Sequence, residues 1–452
     1  MSAAPDTSVL LLGSGGREHA LAWVLGQSPR LKNFYALPGS AAISDWAQSL
    51  PGDPSSPQDV VAAAKDRHAG LVIVGPEAPL AAGVADALRA EGILVFGPNR
   101  DGARLESSKI FAKEFMARHG IPAARSQAFA DAASAKAALA SWPEPVVVKA
   151  DGLAGGKGVF VCASREEALQ AVEFLMERRG AGAAGGRILL EEALSGPELS
   201  AMALCDGKSF RLLPLARDHK RLKDGDLGPN TGGMGAVAPV AISPAERGAV
   251  EDVFARAMKG LAAEGVDYRG VLYAGLMMTA HGPKVLEFNC RLGDPETQVV
   301  LPLLASDFLD LALACAKGDL GLKAIKVRPG SCVCVVMASA GYPQKPQPAG
   351  AISGLEEVAR DSEVKAFHAA TTVRDRAWSG GSGRVLSVCA GGKDAAAARQ
   401  KAYAAADKIF FEGKILRRDI AAGVPAPTSQ TSKGGSFGTS RTHAFRMFGT
   451  GV

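Results

Sequence analysis

Short apolar runs alternate with amphipathic stretches along the first quarter of the chain. Residues 9–12 (VLLL), 71–74 (LVIV) and 93–96 (ILVF) are apolar runs; the first leads through Gly13-Ser14-Gly15-Gly16 into a helical pattern over 17–27, and the others are closed by Gly75-Pro76 and Gly97-Pro98. Such runs separated by helical stretches predict parallel strands with crossover helices and ligands at the carboxyl ends of the strands. Residues 1–105 therefore read as one doubly wound α/β domain. A single amphipathic helix is predicted over 105–119, with Ile110, Phe111, Phe115 and Met116 on its apolar side, stopped by Gly120-Ile121-Pro122. It supplies a linker over 106–122.

The next runs, 146–150 and 159–161, flank a segment with four glycines, Gly152, Gly155, Gly156 and Gly158; Lys149 lies on the first run and Lys157 in the segment. They predict a hairpin in a lid domain (123–190) whose mobile tip closes on phosphates; the alternative is an exposed flexible loop with Lys157 as a solubilising residue. The spacing is not that of a Walker P-loop, since no Ser or Thr follows Lys157 and a strand continues where that motif needs a helix. Residues 187–194 form a strand ending in Glu191 and Glu192, followed by Glu198. Taken alone, these residues fit either an ordinary strand end or contacts to an adenine and a ribose.

Residues 217–236 are polar and glycine-rich, and predict a long substrate loop. In it His219 reads equally as a general base or as a hydrogen-bonded structural histidine. The most informative stretch is 285–297, VLEFNCRLGDPET. In a strand rising about 3.3 Å per residue, Glu287, Asn289 and Arg291 project to one face and Leu286, Phe288 and Cys290 to the other. A carboxylate and an amide oxygen two residues apart suit a hard cation such as Mg2+, which fills its shell with water and phosphate oxygens. Arg291 would then border those phosphates. A solvated edge strand is the plainer alternative, but the opposite face is too apolar for it. A long apolar helix is predicted over 298–316, closing a catalytic domain over 191–325. The runs at 332–337, 366–368 and 383–388 and the alanine-rich helix 394–409 predict a small α+β domain (326–422), and 423–452 reads as a disordered tail.

Composition narrows the function classes. With 452 residues and 47% hydrophobic content, two to four conventional cores are expected. A net charge of +5 with 21% charged residues and no basic run gives no support for nucleic-acid binding. The seven cysteines are odd in number and lack a CxxC pair, which points to buried thiols in a reducing compartment and not to zinc. No run reaches the roughly 18 apolar residues of a membrane span, so a cytoplasmic protein is expected. The glycine turn at 13–16 sits where backbone N–H groups can hold a phosphate. A dinucleotide site also wants an acid about 20 residues on, yet 34–39 reads FYALPG. A phosphorylated sugar is thus preferred to NAD, with a ligand-free turn as the alternative.

The motifs GSGGREHALAW, IVGPEAPL, KADGLAGGKGV, DHKR, GPNTGGMGA, EFNCRLGDPETQ and GRVL occur in this order. By them the chain resembles the glycinamide ribonucleotide synthetases, phosphoribosylamine-glycine ligases of the ATP-grasp superfamily, from about residue 9 to 420. The resemblance implies an ATP-grasp fold with ATP between the hairpin domain and the 191–325 domain. Lys109, Lys149, Lys157, Glu191 with Glu192, Ala193 and Leu194, and Glu198 would surround the nucleotide. Glu287 and Asn289 would hold Mg2+ or Mn2+. Arg291, Lys157 and Asp218 would act in catalysis, with Arg291 steadying an acyl phosphate. Gly13, Gly15 and Gly16 would face the phosphoribosyl group, while Asp218, Gly232, Gly233, Arg291 and Asp294 would border the glycine and sugar sites.

The implied partners are glycine, 5-phosphoribosylamine and ATP, without nucleic acid or membrane, and the implied state is a monomer with no second enzyme domain. Two positions depart from the family's pattern. Residues 273–277 (YAGLM) lack the acid that many ATP-grasp enzymes place a strand earlier, which leaves the number of metal ions open. His368-Ala369-Ala370-Thr371 stands where His-Ala-Gly-Thr is common. The rival readings are a bicarbonate-activating carboxylase of the same superfamily and a nucleotide sensor without turnover; the sensor is disfavoured by the presence of both Glu287 and Asn289.

Overall fold

The computed structural model describes residues 6–153, 158–321 and 323–424. Lys157 and the tail from residue 425 lie outside the described residues. The N-terminal unit is Thr7–Gly13 (β1), Gly16–Leu25 (α1), Leu31–Pro38 (β2), Gln48–Ser49 (β3), Pro57–Asp66 (α2), Leu71–Val74 (β4), Glu77–Ala82 (α3), Val84–Ala90 (α4) and Val95–Phe96 (β5). Its sheet is parallel in the order β3-β2-β1-β4-β5. The central strands β1 and β4 are apolar runs because both faces are covered: Leu10, Leu12, Val72 and Val74 pack into one core, and Val9, Leu11, Leu71 and Ile73 into another; β2 and β3 toward the sheet edge carry exposed polar residues.

The single linker helix expected over 105–119 is two helices, Arg100–Ser107 (α5) and Lys109–Arg118 (α6). Ser108 between them is extended, and its hydroxyl accepts the Phe111 N–H and donates to Asp151. The apolar periodicity runs through the break, so only the cap reveals it.

The lid contains Ser126–Phe129 (β6), Ala132–Leu139 (α7), Val146–Ala150 (β7), Val159–Cys162 (β8), Arg165–Val172 (α8) and Ile188–Glu192 (β9), with sheet order β6-β9-β7-β8. Strands β7 and β8 form the expected antiparallel hairpin. Phe129, Leu139, Trp142, Val148, Leu175 and Leu190 give the lid a core of its own.

The central sheet is antiparallel, β11-β10-β16-β17. It is built from Glu198–Asp206 (β10), Phe210–Leu212 (β11), Arg269–Thr279 (β16) and Gly282–Asn289 (β17). Between β11 and β16 the chain forms Arg217–Asp218 (β12), Arg221–Lys223 (β13), Leu227–Asn230 (β14), Gly235–Ala238 (β15) and the long helix Pro244–Ala263 (α9). The register of β16 against β17 runs from Gly275↔Glu287 to Leu276↔Val285, so Leu286 is the extra residue of a β-bulge. The expected alternation fails there. Val285, Phe288 and Cys290 share a core, and Leu286 is only half-buried with its carbonyl accepting from Lys149 Nζ.

The helix predicted over 298–316 is divided into Thr297–Val300 (α10), a 3-10 turn at Leu301–Leu303 and Phe308–Lys317 (α11). Pro302 removes a backbone donor in the turn, and Asp307 caps α11 by accepting from the amides of Leu309 and Asp310.

The C-terminal unit adds Ser331–Ala338 (β18), Gly350–Ala351 (β19), Leu355–Ala359 (α12), Val364–His368 (β20), Thr371–Arg374 (β21), Ala377–Gly380 (β22), Arg384–Gly392 (β23) and Ala395–Ala406 (α13). Its main sheet runs β12-β15-β18-β23-β20. The stretch 217–236, expected as a structureless loop of the central unit, is therefore the edge of the C-terminal sheet with the β13–β14 hairpin projecting from it. Its turn-rich sequence hides these short strands, of which β15 pairs with β18 about a hundred residues on. Arg417, 1% exposed, holds that hairpin by donating to the Arg221 carbonyl, Asp226 and Asp419. At the variant turn Ala370 takes no positive φ, so alanine is accommodated without strain.

The N- and C-terminal units meet through a histidine pair. The His368 amide donates to His19 Nδ1 at 2.9 Å, and the His19 ring stands edge-on to Phe367 at 5.6 Å. Burial, reinforced for His19 by His368, lowers the two pKa values from 6.5 to about 3 for His19 and about 4 for His368. Because the unfolded chain takes up these protons near pH 6.5, the stability that the pair contributes is full above that pH. It is lost as the pH falls toward about 4, at about 1.4 kcal/mol per pH unit per histidine. Urea-unfolding midpoints measured from pH 7 to 4.5 should fall accordingly, and the His19→Asn/His368→Asn double variant should show a flatter acid limb.

Candidate active site

The lid strands and the central sheet face each other across a cleft lined by opposite charges. Lys149 on β7 and Glu191 on the adjacent β9 are both buried. Glu191 Oε2 receives Lys149 Nζ at 3.0 Å and Lys113 Nζ at 3.2 Å, while its Oε1 has no hydrogen-bond partner among the described residues. Burial lowers the Lys113 pKa to about 8, against the pull of Glu191. Sequence reasoning missed Lys113, although its place one helical turn after Lys109 on α6 was a usable signal. Lys109 Nζ donates to the Gly152 carbonyl of the lid at 3.0 Å.

Glu192 does not join this cluster. Its carboxylate pairs with Lys284 at 3.0 Å and accepts the Arg125 amide. Ala193 and Leu194 are half-buried in the connection from β9 to β10. Glu198 is paired with Lys220 at 2.9 Å, and Lys220 is a second lysine that the sequence reading did not single out.

Glu287 and Asn289 lie on β17, opposite the lid. Burial by itself would raise the Glu287 pKa, but Lys220, Lys149, Lys109 and Arg291 outweigh it and hold the carboxyl at about 2. Asn289 Oδ1 accepts from Arg291 Nη2 at 3.2 Å. Arg291 is gripped further by Glu106 at 2.7 Å and Glu77 at 3.4 Å. No group of three or more His, Cys, Asp or Glu that could hold a metal ion occurs among the described residues. An ionised carboxylate and an amide oxygen nevertheless fit a hard divalent cation that draws its remaining ligands from phosphates and water, once Asn289 exchanges Arg291 for the metal.

The glycine turn contains a carboxylate that the sequence reading overlooked. Glu18 Oε2 accepts the Gly15 amide at 2.7 Å, and Glu18 Oε1 pairs with Arg17 Nε at 2.6 Å. Gly13, at φ +115°, has no room for a side chain, since a Cβ would stand 2.6 Å from Glu18 Cγ. A Cβ on Gly16 would meet Gln298 Nε2 at 3.0 Å. The Gly15 N–H expected to face a phosphate is thus already engaged by Glu18.

Asp218, Gly232, Gly233 and Asp294 are brought together by Arg384. Its Nη1 donates to the carbonyls of Gly232 and Asp294, its Nη2 pairs with the Asp294 carboxylate at 3.2 Å, and Gln298 donates to Asp294 Oδ1. A Cβ on Gly233 would meet Pro295 Cδ at 2.4 Å and Asp218 Oδ1 at 2.7 Å. Asp218 Oδ1 is sealed from solvent without a hydrogen-bond partner among the described residues, and burial beside Glu296 pushes the carboxyl pKa well up. His219 is structural: its Nδ1 lies 3.3 Å from the Gly235 carbonyl, and its Nε2 accepts the Ala421 amide.

A lid hairpin whose Lys149 reaches the antiparallel central sheet beside Glu287, flanked by a doubly wound N-terminal unit, defines the ATP-grasp class. Comparison with known proteins narrows this. Models of the phosphoribosylglycinamide synthetase N domain, ATP-grasp (A) domain and C domain match residues 7–106, 107–297 and 332–423. The chain belongs to the phosphoribosylglycinamide synthetase family. It is 45% identical over 415 residues to the phosphoribosylamine–glycine ligase of Mesorhizobium japonicum, covering 91% of this chain and 97% of that one. It is 47% identical to part of the trifunctional purine biosynthetic protein adenosine-3 of Drosophila melanogaster, covering 91% of this chain and 31% of that protein. The crystal structure of the Thermotoga maritima phosphoribosylamine–glycine ligase superposes with a TM-score of 0.81 at 36% identity, covering 91% of this chain and all of that one. The biotin carboxylase domain of the Hydrogenobacter thermophilus 2-oxoglutarate carboxylase shares the fold, with a TM-score of 0.70 at 17% identity, 91% of this chain and 92% of that one being covered.

The two neighbouring glutamates should behave differently. Glu191→Gln leaves two buried lysines without their shared carboxylate, and ATP affinity measured by calorimetry should fall at least tenfold, about 1.4 kcal/mol. Glu192→Gln, which removes only a partly exposed pair, should change it less than about twofold.

Proposed function

We propose that the protein is an ATP-dependent ligase that joins glycine to 5-phosphoribosylamine, giving glycinamide ribonucleotide, ADP and phosphate in purine biosynthesis. The observation that carries this reading is the cationic surround of Glu287, made by Lys220, Lys149, Lys109 and Arg291. An amine does not displace oxide from a carboxylate at neutral pH, so one carboxylate oxygen of glycine must first become a phosphate leaving group. As the phosphoryl group passes from ATP to glycine, negative charge spreads over its oxygens, and fixed cations stabilise that charge without reorganising.

Each residue has a part in that scheme. Lys109 and Lys149 orient the nucleotide phosphates, Glu198 meets the ribose, and the 192–194 segment borders the adenine. Arg291 steadies the glycyl phosphate, and Lys157 at the hairpin tip closes over the phosphates. Mg2+ or Mn2+ on Glu287 and Asn289 would supply Lewis-acid neutralisation of the phosphoryl oxygens. Gly13, Gly15 and Gly16 shape the wall of the phosphoribosyl site, while Asp218, Gly232, Gly233 and Asp294 border glycine and the sugar. In the same proposal the enzyme acts as a cytoplasmic monomer, a state that light scattering checks.

Glycine labelled with 18O in its carboxylate should pass one labelled oxygen to the released phosphate per product formed. Unlabelled phosphate alongside product rejects the acyl-phosphate route, and label arriving only from bicarbonate favours a carboxylase. Glu287→Ala should abolish turnover with an unchanged circular dichroism spectrum; wild-type activity in saturating Mg2+ rejects its role.

A further inference from the structure

The two carboxylates that grip Arg291 face different surroundings. Glu106, on α5, has a side chain only 8% exposed, binds Arg291 Nη2 at 2.7 Å and accepts the Cys290 amide at 2.7 Å. Both its oxygens are spent inside the protein. Glu77 is 35% exposed and touches Arg291 Nε only at 3.4 Å. It follows β4 across Gly75-Pro76, so it stands at the carboxyl end of a central parallel strand beside the glycine turn after β1. That end of a doubly wound sheet is where ligands are received. Glu77 therefore bridges the ligand crevice of the N-terminal unit and the arginine of the acyl-phosphate site. The charged groups around it are Arg291 from the end of β17, Arg17 from α1 and Glu106 from α5. Burial raises its pKa, but the two arginines outweigh burial and keep it ionised.

Amide formation leaves one proton to be placed. The amine nitrogen attacks the carbonyl carbon of the glycyl phosphate, the C–N bond forms, the C–O bond to phosphate breaks, and phosphate leaves with the electron pair. An amine on an anomeric carbon is a weak base and enters uncharged. Its nitrogen becomes strongly acidic only as the new bond forms, so an ionised carboxylate is a sufficient acceptor. The other carboxylate on Arg291, Glu106, is buried beneath it with both oxygens engaged, and Asp218 is sealed from solvent with its pKa pushed well up by burial beside Glu296.

We propose that Glu77 is a catalytic residue that accepts the proton the attacking amine loses. The inference rests on the glycyl phosphate reading above, and hydroxylamine separates the two. This small nucleophile traps glycyl phosphate as glycine hydroxamate without using phosphoribosylamine or its site. With the wild-type enzyme, ATP and glycine, hydroxamate should form. Glu77→Gln should lower ligation of phosphoribosylamine at least about 100-fold, keep hydroxamate formation within threefold of wild type and leave the melting temperature unchanged. Glu77→Asp should recover part of the ligation. Ligation that survives in Glu77→Gln overturns the proposal. Equal loss of ligation and hydroxamate also overturns it, since Glu77 then only holds Arg291. Absence of hydroxamate with the wild-type enzyme rejects the glycyl phosphate reading, and the inference with it.

Discussion

A carboxylate kept ionised among lysines and an arginine is the constraint on which the cleft depends. Glu287 sits half-buried, where desolvation favours its neutral form, and it remains charged because Lys220, Lys149, Lys109 and Arg291 surround it. No single element supplies this balance. Lys109 comes from the linker helix α6, Lys149 from the lid, Lys220 from the loop between β12 and β13, and Arg291 from the end of β17. Separately each cation would be a solvated side chain. Folded together they converge on one carboxylate, and Lys149, Lys220 and Arg291 are already paired with Glu191, Glu198 and Glu106, which offsets the cost of burying them.

The C-terminal unit is part of this arrangement. Strands β12 and β15 lie in its sheet, so Asp218 and the Gly232-Gly233 turn are positioned by β18 and by Arg384 of β23. The β13–β14 hairpin is held by Arg417, and the Arg418 amide adds a bond to Asp224. Lys220 lies just before that hairpin, so its approach to Glu198 depends on a segment almost two hundred residues away.

Arg291 links the N-terminal unit to the same centre. Glu77 and Glu106 reach it from α3 and α5, and His19 meets His368 on the far side of α1. The glycine turn, filled by Glu18, is correspondingly stiff. A flexible turn would transmit no fixed position to Arg17, whose guanidinium donates to the Leu292 carbonyl next to Arg291.

The sequence by itself determined the features that depend on local pattern. Strands β1, β4 and β5 of the N-terminal sheet were legible because burial on both faces demands apolar runs, whereas β2 and β3, with exposed polar positions, were not; the lid hairpin was legible because glycines separate two β-branched segments. The motifs carried the family, and the alternation at 287–291 picked out Glu287, Asn289 and Arg291. Tertiary structure decided the rest. Only pairing with β16 shows the bulge at Leu286, and only its cap shows the break at Ser108. Of the strands hidden in 217–236, β15 joins the C-terminal sheet through β18, about a hundred residues on. Lys220, Glu18 and Glu77 were unreadable as site residues because their meaning lies in which opposite charge they meet, and Lys113 had only its helical spacing from Lys109 to mark it. Arg291 and Glu77 are 214 residues apart, and no periodicity along a chain records a contact whose energy is set by burial and distance in the folded state.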